Sequence, residues 1–298
     1  MERLRQDDPP QIGPYTTLAR LDADSAERTV PERRYLARSA DGERTALVCV
    51  PRVGADPSRW AIEAEGARRL SVPGFLAVAE VGGTAGFPYS AAPYTPALPL
   101  PAALAAYGGP LPEETVRRLG AALAQCLAAV HARGMTHAGL TPSAVLVTAG
   151  GPLLTSFGAA RAGLAGLDQG CLAPELASGE APGPASDVFA LGSVLAYAST
   201  GYTVPEQSEL PPGIRQLLGS CLARNPADRP ATAAEVLREL VALPVAVGGP
   251  PTATVLDHAG FPDLPGRVVA ALATQSSALL AAELPVPQQA FAATQKVH

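Results

Sequence analysis

The pattern of hydrophobic and polar positions divides the chain into two stretches of different period. From Tyr15 to about Leu100 the apolar residues come in short runs suited to strands. Residues 34–38 alternate, Asp41-Gly42 marks a hairpin turn, and residues 45–50 (TALVCV) read as a buried strand. Residues 57–71 read as a helix entered at Pro57, with Ile62 and Leu70 on its inner side. Shorter strands are predicted over 75–81 and 88–92. From about Pro101 the spacing turns helical. Residues 113–133 place Val116, Leu119, Leu123, Leu127 and Val130 on one face. After an irregular, Gly-rich stretch over 134–183, helices are predicted over 186–200, 214–223 and 231–240. The first of these is apolar enough to be buried, and the last opens on a capping box, Thr232-Ala-Ala-Glu235.

A small β-rich lobe followed by a larger helical one is an α+β arrangement. The expected organisation is a flexible N-terminal arm over 1–13, the β-rich lobe over 14–100 and the helical lobe over 101–243. Residues 244–298 have linker composition at their start (PVAVGGPPTATV) and form a tail, partly disordered, with a short amphipathic helix over 265–284.

Composition narrows the chemistry. At 298 residues and 47 % hydrophobic the chain can bury a sizeable core. Its net charge of −5 provides no basic field, so nucleic acid is not an expected partner. Cys49, Cys126, Cys171 and Cys221 are far apart, as suits free thiols in a reducing compartment. The polar start MERLRQDDPP is no secretion signal, and no apolar run approaches the ~18 residues of a membrane span. A cytoplasmic protein is expected. Lys296 is the only lysine and Asn225 the only asparagine, so a mechanism needing a buried lysine elsewhere is excluded.

Five motifs then follow in a set order. His137-Ala-Gly-Leu-Thr-Pro-Ser-Ala-Val-Leu146 resembles the catalytic loop of protein kinases, H-R-D-L-K-P-x-N-V-L. Ser156-Phe157-Gly158 resembles D-F-G, and Ala173-Pro174-Glu175 resembles A-P-E. Asp187-Val-Phe-Ala-Leu-Gly192 resembles the start of the large buried helix, and Asn225-Pro-Ala-Asp-Arg229-Pro the element near the domain's end. Over roughly residues 14–243 the chain resembles the two-lobed Ser/Thr protein kinase fold in its bacterial form.

That resemblance implies where phosphoryl-transfer groups should stand. The catalytic Asp maps to Gly139, the metal-holding Asn to Ala144 and the D-F-G Asp to Ser156. The loop Lys maps to Thr141, the Arg before the catalytic Asp to Ala138, and the strand Lys to Val48. Residues 115–167 contain no Asp or Glu, and residues 14–41 contain no Gly to fold over phosphates. Loss of one well-placed electrostatic donor costs ~10²–10³ in rate. Hence a pseudokinase is expected, a non-enzymatic signalling or scaffold protein with no cofactor and no metal. The regulatory-helix carboxylate maps to Glu63, with Glu65 as the neighbouring alternative; Glu63 is left without its usual partner and reads as solvated or locally paired. His137, Phe157, Glu175, Asp187 and Arg229 are expected as framework, with Glu175 pairing Arg229 and Asp187 capping the catalytic loop. Ala46 and Leu146 match the positions that sandwich adenine, and Ala92-Pro93-Tyr94-Thr95 the hinge. Metal-independent ATP binding by a regulator is therefore the alternative, and an unconventional transferase on this fold a remoter one. A protein partner is expected, such as a phosphothreonine-binding domain reading Thr274-Gln275 or Thr294-Gln295 in the tail.

Overall fold

A computed structural model describes residues 1–22, 29–242 and 264–282 of the chain. Part of the Gly-free segment and Thr294 lie outside the described residues.

The N-terminal lobe is built on an antiparallel sheet of β1 (Gln11–Ile12), β2 (Tyr15–Arg20), β3 (Glu32–Ser39), β4 (Thr45–Pro51), β5 (Glu80–Thr84) and β6 (Phe87–Pro93). The spatial order is β1-β2-β3-β4-β6-β5. Asp41 and Gly42 turn β3 into β4, with Gly42 at a left-handed φ of 76° that a side chain would resist. Between β4 and β5 lies α1 (Pro57–Arg69), started by Asp56, whose carboxylate accepts from the backbone N–H of Ser58 and Arg59 at 2.9 and 3.1 Å. The helix buries Trp60 and Ala64; Ile62, expected inside, is 69 % exposed. The strand expected over 75–81 begins only at Glu80, and Phe75 instead bridges Leu154.

The C-terminal lobe is helical. A small sheet of β7 (Ala97–Pro99), β8 (Val145–Thr148) and β9 (Gly151–Leu154) sits at its upper edge, beside α2 (Leu100–Tyr107). Its core is α3 (Glu113–His131) and α6 (Pro184–Thr200), flanked by α7 (Arg215–Cys221) and α8 (Ala233–Ala242). The expected face of α3, Val116 to Val130, is wholly inside. Half of the capping box of α8 forms as read: Thr232 Oγ1 accepts from Glu235 N at 3.2 Å, while Glu235 reaches one residue past the cap and accepts from Ala231 N at 2.7 Å. The short α4 (Ala159–Ala162) and α5 (Pro174–Ala177) belong to the segment between the lobes, and α9 (Gly266–Leu280) follows the linker.

Residues 1–13 are not a loose arm. Glu2 pairs with Arg20, and β1 joins the sheet. Asp8 is buried, and its carboxylate accepts from Arg20 Nε at 2.7 Å, Tyr35 Oη at 2.8 Å and the Arg5 backbone at 2.7 Å. Burial works against the Asp8 charge, but these donors outweigh it and hold its pKa at about 2. An unfolded Asp titrates near 3.9. The stabilisation is therefore complete above that pH and is lost as pH falls toward about 2. Asp8→Ala, which removes a buried carboxylate from Arg20 and Tyr35, should cost ~3–5 kcal/mol at pH 7 in urea unfolding. The difference from the parent chain should shrink as the pH approaches 2.

Candidate functional site at the lobe interface

Strand register decides which side chains face the cleft. Arg34 pairs with Cys49 and Cys49 with Ser90; Leu36 pairs with Leu47 and Leu47 with Ala92. Leu36, Leu47 and Cys49 share one buried cluster with Leu21, Trp60 and Leu146, so this face looks across to the C-terminal lobe. The opposite rows hold Tyr35 with Val48 and Ala37 with Ala46, packed against Tyr15 and Tyr89 on the other side of the sheet. The positions expected at the cleft, Val48 and Ala46, are thus turned away from it. Cys49 takes the place assigned to the strand lysine, and Leu47 that of the adenine ceiling. Ala92 is on the cleft side and Leu146 forms its floor, whereas Thr95 is exposed.

The polar groups of the cleft form one chain across the two lobes. Arg34, whose side chain is fully buried, donates from Nε to Asp22 at 2.9 Å and from Nη1 to Thr155 Oγ1 at 3.2 Å. Thr155 donates to the carbonyl of Ala144 at 3.0 Å. Next to it Ser156 Oγ donates to Glu32 at 2.9 Å. Burial disfavours the Arg34 charge, but the Asp22 carboxylate outweighs it and keeps the guanidinium protonated. Burial raises the Glu32 pKa, only partly offset by Arg34 and by the Ser156 hydroxyl. Burial and then the Glu32 charge push the Cys49 thiol well up. The absence of acids over 115–167 therefore does not leave Ser156 without a carboxylate: Glu32 arrives from β3, 124 residues away.

Below this chain the loop carrying Gly139 is held from underneath. Asp187 accepts from the backbone N–H of His137 and Ala138 at 2.7 and 2.9 Å and contacts His131 Nε2 at 2.9 Å. The loop needs that anchor, because Ala138 sits at φ 52° and Ser156 at φ 61°, conformations that cost side-chain-bearing residues ~1–3 kcal/mol. Thr141 and Ala144 are buried within the loop, with the Thr141 hydroxyl accepting from Ala144 N. A Cβ added at Gly139 would overlap the Ser156 carbonyl oxygen, so the segment after Thr155 lies directly on this position.

That segment also reaches the regulatory helix. Arg161, on α4, donates to both Glu63 oxygens at 2.7 and 2.6 Å, to the Thr136 carbonyl at 3.2 Å, and stacks over Phe157 at 5.1 Å. Glu63, expected to lack a distant partner, has one 98 residues away. Phe157 packs with Phe75 and His137, ring centroids 6.2 and 6.0 Å apart, and lies against α1 at Gly66. His137 is buried as expected, but its ring nitrogens find no hydrogen-bond partner. Farther down, Arg229 forks onto Glu175 at 2.7 and 2.8 Å, and Ser186 donates to Glu175 at 2.9 Å.

The donor set does not suit a hard divalent cation. Near the cleft it comprises the Ser156 hydroxyl, a buried Glu32 already engaged by it and an Asp22 already engaged by Arg34, with a methyl at Ala144. Among the described residues no cluster of three His, Cys, Asp or Glu side chains comes together. The four cysteines are free and buried. No helix among the described residues is long and apolar enough to cross a membrane.

Comparison with known proteins shows the fold. The chain is 36 % identical over 270 residues to a probable serine/threonine-protein kinase, PkwA, of Thermomonospora curvata, covering 80 % of this chain and 35 % of that one. It is 34 % identical over 264 residues to the serine/threonine-protein kinase AfsK of Streptomyces griseus, covering 77 % and 32 %. It thus spans about a third of the length of these relatives. The PknI kinase domain of Mycobacterium tuberculosis superposes with a TM-score of 0.60 at 23 % identity, over 78 % of this chain and 96 % of that one. No family model matches. The chain has a bacterial Ser/Thr protein kinase-like fold, as its motifs indicated. The expectation of a non-enzymatic scaffold is overturned here. Sequences 34–36 % identical to this one over most of its length are named Ser/Thr protein kinases.

His137 yields a pH prediction. Burial pushes its pKa down to about 4, outweighing the Asp187 charge, so the ring is neutral at pH 7. An unfolded His protonates near 6.5. Below that pH the unfolded state binds a proton that the folded state refuses, so stability falls from about pH 6.5 toward pH 4. Urea midpoints of the parent chain should drop between pH 7 and 5 by more than those of His137→Phe.

Proposed function

We propose that this chain is a kinase-type domain of cytoplasmic signalling that transfers phosphoryl groups to Ser or Thr of a protein, and that its cleft is latched by the chain of groups from Asp22 to Glu32. The reading rests on the 36 % identity over 270 residues with a named Ser/Thr protein kinase. The cleft is compatible with a purine nucleotide: Leu21 and Leu47 stand on its upper side, Leu146 on its lower side, and the backbone around Ala92 at its back. Adenine needs apolar faces and backbone hydrogen bonds there, and no side-chain charge.

In the transfer, the acceptor hydroxyl oxygen bonds to the terminal phosphorus of a nucleoside triphosphate as the bond to the bridging oxygen breaks. The nucleoside diphosphate leaves, and the hydroxyl proton needs a base. Glu32 is the carboxylate that reaches Ser156. Burial raises its pKa, which makes it a stronger proton acceptor than an ordinary carboxylate. No step is assigned to a metal. The polar bonds from Arg34 to Thr155 and from Ser156 to Glu32 must open before phosphates can enter. The phosphoryl acceptor is a protein partner, and Thr274 offers an exposed residue on α9 for a second, phosphothreonine-reading partner.

The test is incubation of the parent chain, Thr155→Val and Glu32→Gln with terminally labelled ATP and a generic protein substrate. Label should appear on Ser or Thr, rise in Thr155→Val, which cuts one latch bond, and fall ~10²-fold or more in Glu32→Gln. No label from parent chain or Thr155→Val, in conditions where a related kinase domain labels the substrate, would overturn the reading.

A further inference from the structure

The last described helix, α9, touches both lobes beside the apolar cluster proposed as the adenine slot. Its first half docks on the C-terminal lobe: Val268 and Leu272 are buried in that lobe's core, and Arg267 donates to the Tyr107 carbonyl, at the end of α2, at 3.2 Å. Its second half reaches the lobe interface. Leu279 is 2 % exposed and belongs to the apolar cluster that contains Leu21, Leu36, Leu47 and Leu146, the upper and lower sides of the proposed adenine slot. On the N-terminal lobe, Arg38 of β3 donates to the carbonyls of Leu279 and Ala282 at 3.2 and 3.3 Å. Cation and helix C-terminus are complementary there, since the last-turn carbonyls carry the negative end of the helix dipole. Thus one helix, joined to the domain by a linker, is fastened to both lobes across the mouth of the cleft.

The docked seam carries one group at odds with permanent packing. Gln275 is buried, and neither its amide oxygen nor its nitrogen has a hydrogen-bond partner. An apolar residue there would dock the helix more tightly; the unpaired amide regains hydrogen bonds on exposure to water and so favours undocking.

We infer that α9 is an autoinhibitory strap: Leu279 fills the mouth of the adenine slot, and docking of α9 and binding of a purine nucleotide exclude each other. This rests on the proposed nucleotide cleft. Nucleotide admission then requires release of α9, and whatever captures the apolar face of Val268, Leu272 and Leu279 opens the cleft. Because coupling between two binding events is reciprocal, nucleotide must loosen the helix by the factor by which the helix weakens nucleotide binding.

Two measurements on the full chain test this. Binding of a fluorescent ATP analogue should tighten about tenfold or more in Leu279→Ala and in Arg38→Ala, the second variant serving should the first fail to fold. Amide hydrogen exchange over 266–280 in the parent chain should speed up as ATP is raised to saturation. Exchange there that stays unchanged or slows with ATP bound, or a freed helix without gain in affinity, overturns the strap. If Thr155→Val binds the analogue while neither strap variant gains affinity, the strap is wrong and the kinase reading stands. If no variant binds it, both fall.

Discussion

A guanidinium without access to water must be surrounded by acceptors, and that requirement organises the lobe interface. Arg34 stands in the middle of β3, facing the cleft, with its side chain fully buried. An unpaired charge there would cost several kcal/mol. Asp22 supplies the countercharge from the N-terminal lobe and Thr155 an acceptor from the C-terminal lobe. Once Thr155 is fixed, Ser156 follows in a left-handed conformation, its hydroxyl on Glu32 and its carbonyl over Gly139. The position of the following segment, with Arg161 on Glu63 and Phe157 against His137, is set from the same point.

The C-terminal lobe supplies the rigid counterpart. Asp187 ties α6 to the loop bearing Gly139, and the Glu175–Arg229 pair ties α5 to the turn before α8. These pairs hold one side of the cleft fixed, so the polar bonds above and the strap at the side are the parts able to move. Opening the cleft must break the Arg34–Thr155 and Ser156–Glu32 bonds and displace Leu279, whereas the Asp187 and Glu175 contacts can stay as they are. On the proposed reading, regulation is thereby concentrated in contacts between lobes.

How much of this was legible in the sequence follows from how local each feature is. The helices were readable because α3 repeats its apolar residues at helical spacing, and Asp187, Glu175 and Arg229 because each sits in a short motif whose neighbours give it away. The facing of β4 was not. Residues 46–49 are all apolar or neutral, so alternation carries no signal and a one-residue slip reverses every side chain. That slip put Val48 and Ala46 at the cleft in place of Cys49 and Leu47. Arg34 alternates with apolar residues as any exposed strand arginine does, and nothing nearby announces that it is buried. Glu32 with Ser156 and Glu63 with Arg161 are contacts across 124 and 98 residues, with no motif to join them. The helix at 266–280 was predicted, but its docking was not, since the linker composition before it suggested a free tail.

The interlobe contact on which the rest depends is best measured as a coupling energy. Urea unfolding of Arg34→Leu, Thr155→Val and the double variant gives the interaction of these two side chains apart from their separate effects. A latch across the cleft should show a favourable coupling of ~1–3 kcal/mol, as expected for a hydrogen bond to a buried charged group. Strict additivity of the two substitutions would contradict it and would mean that this bond adds nothing to the hold between the lobes.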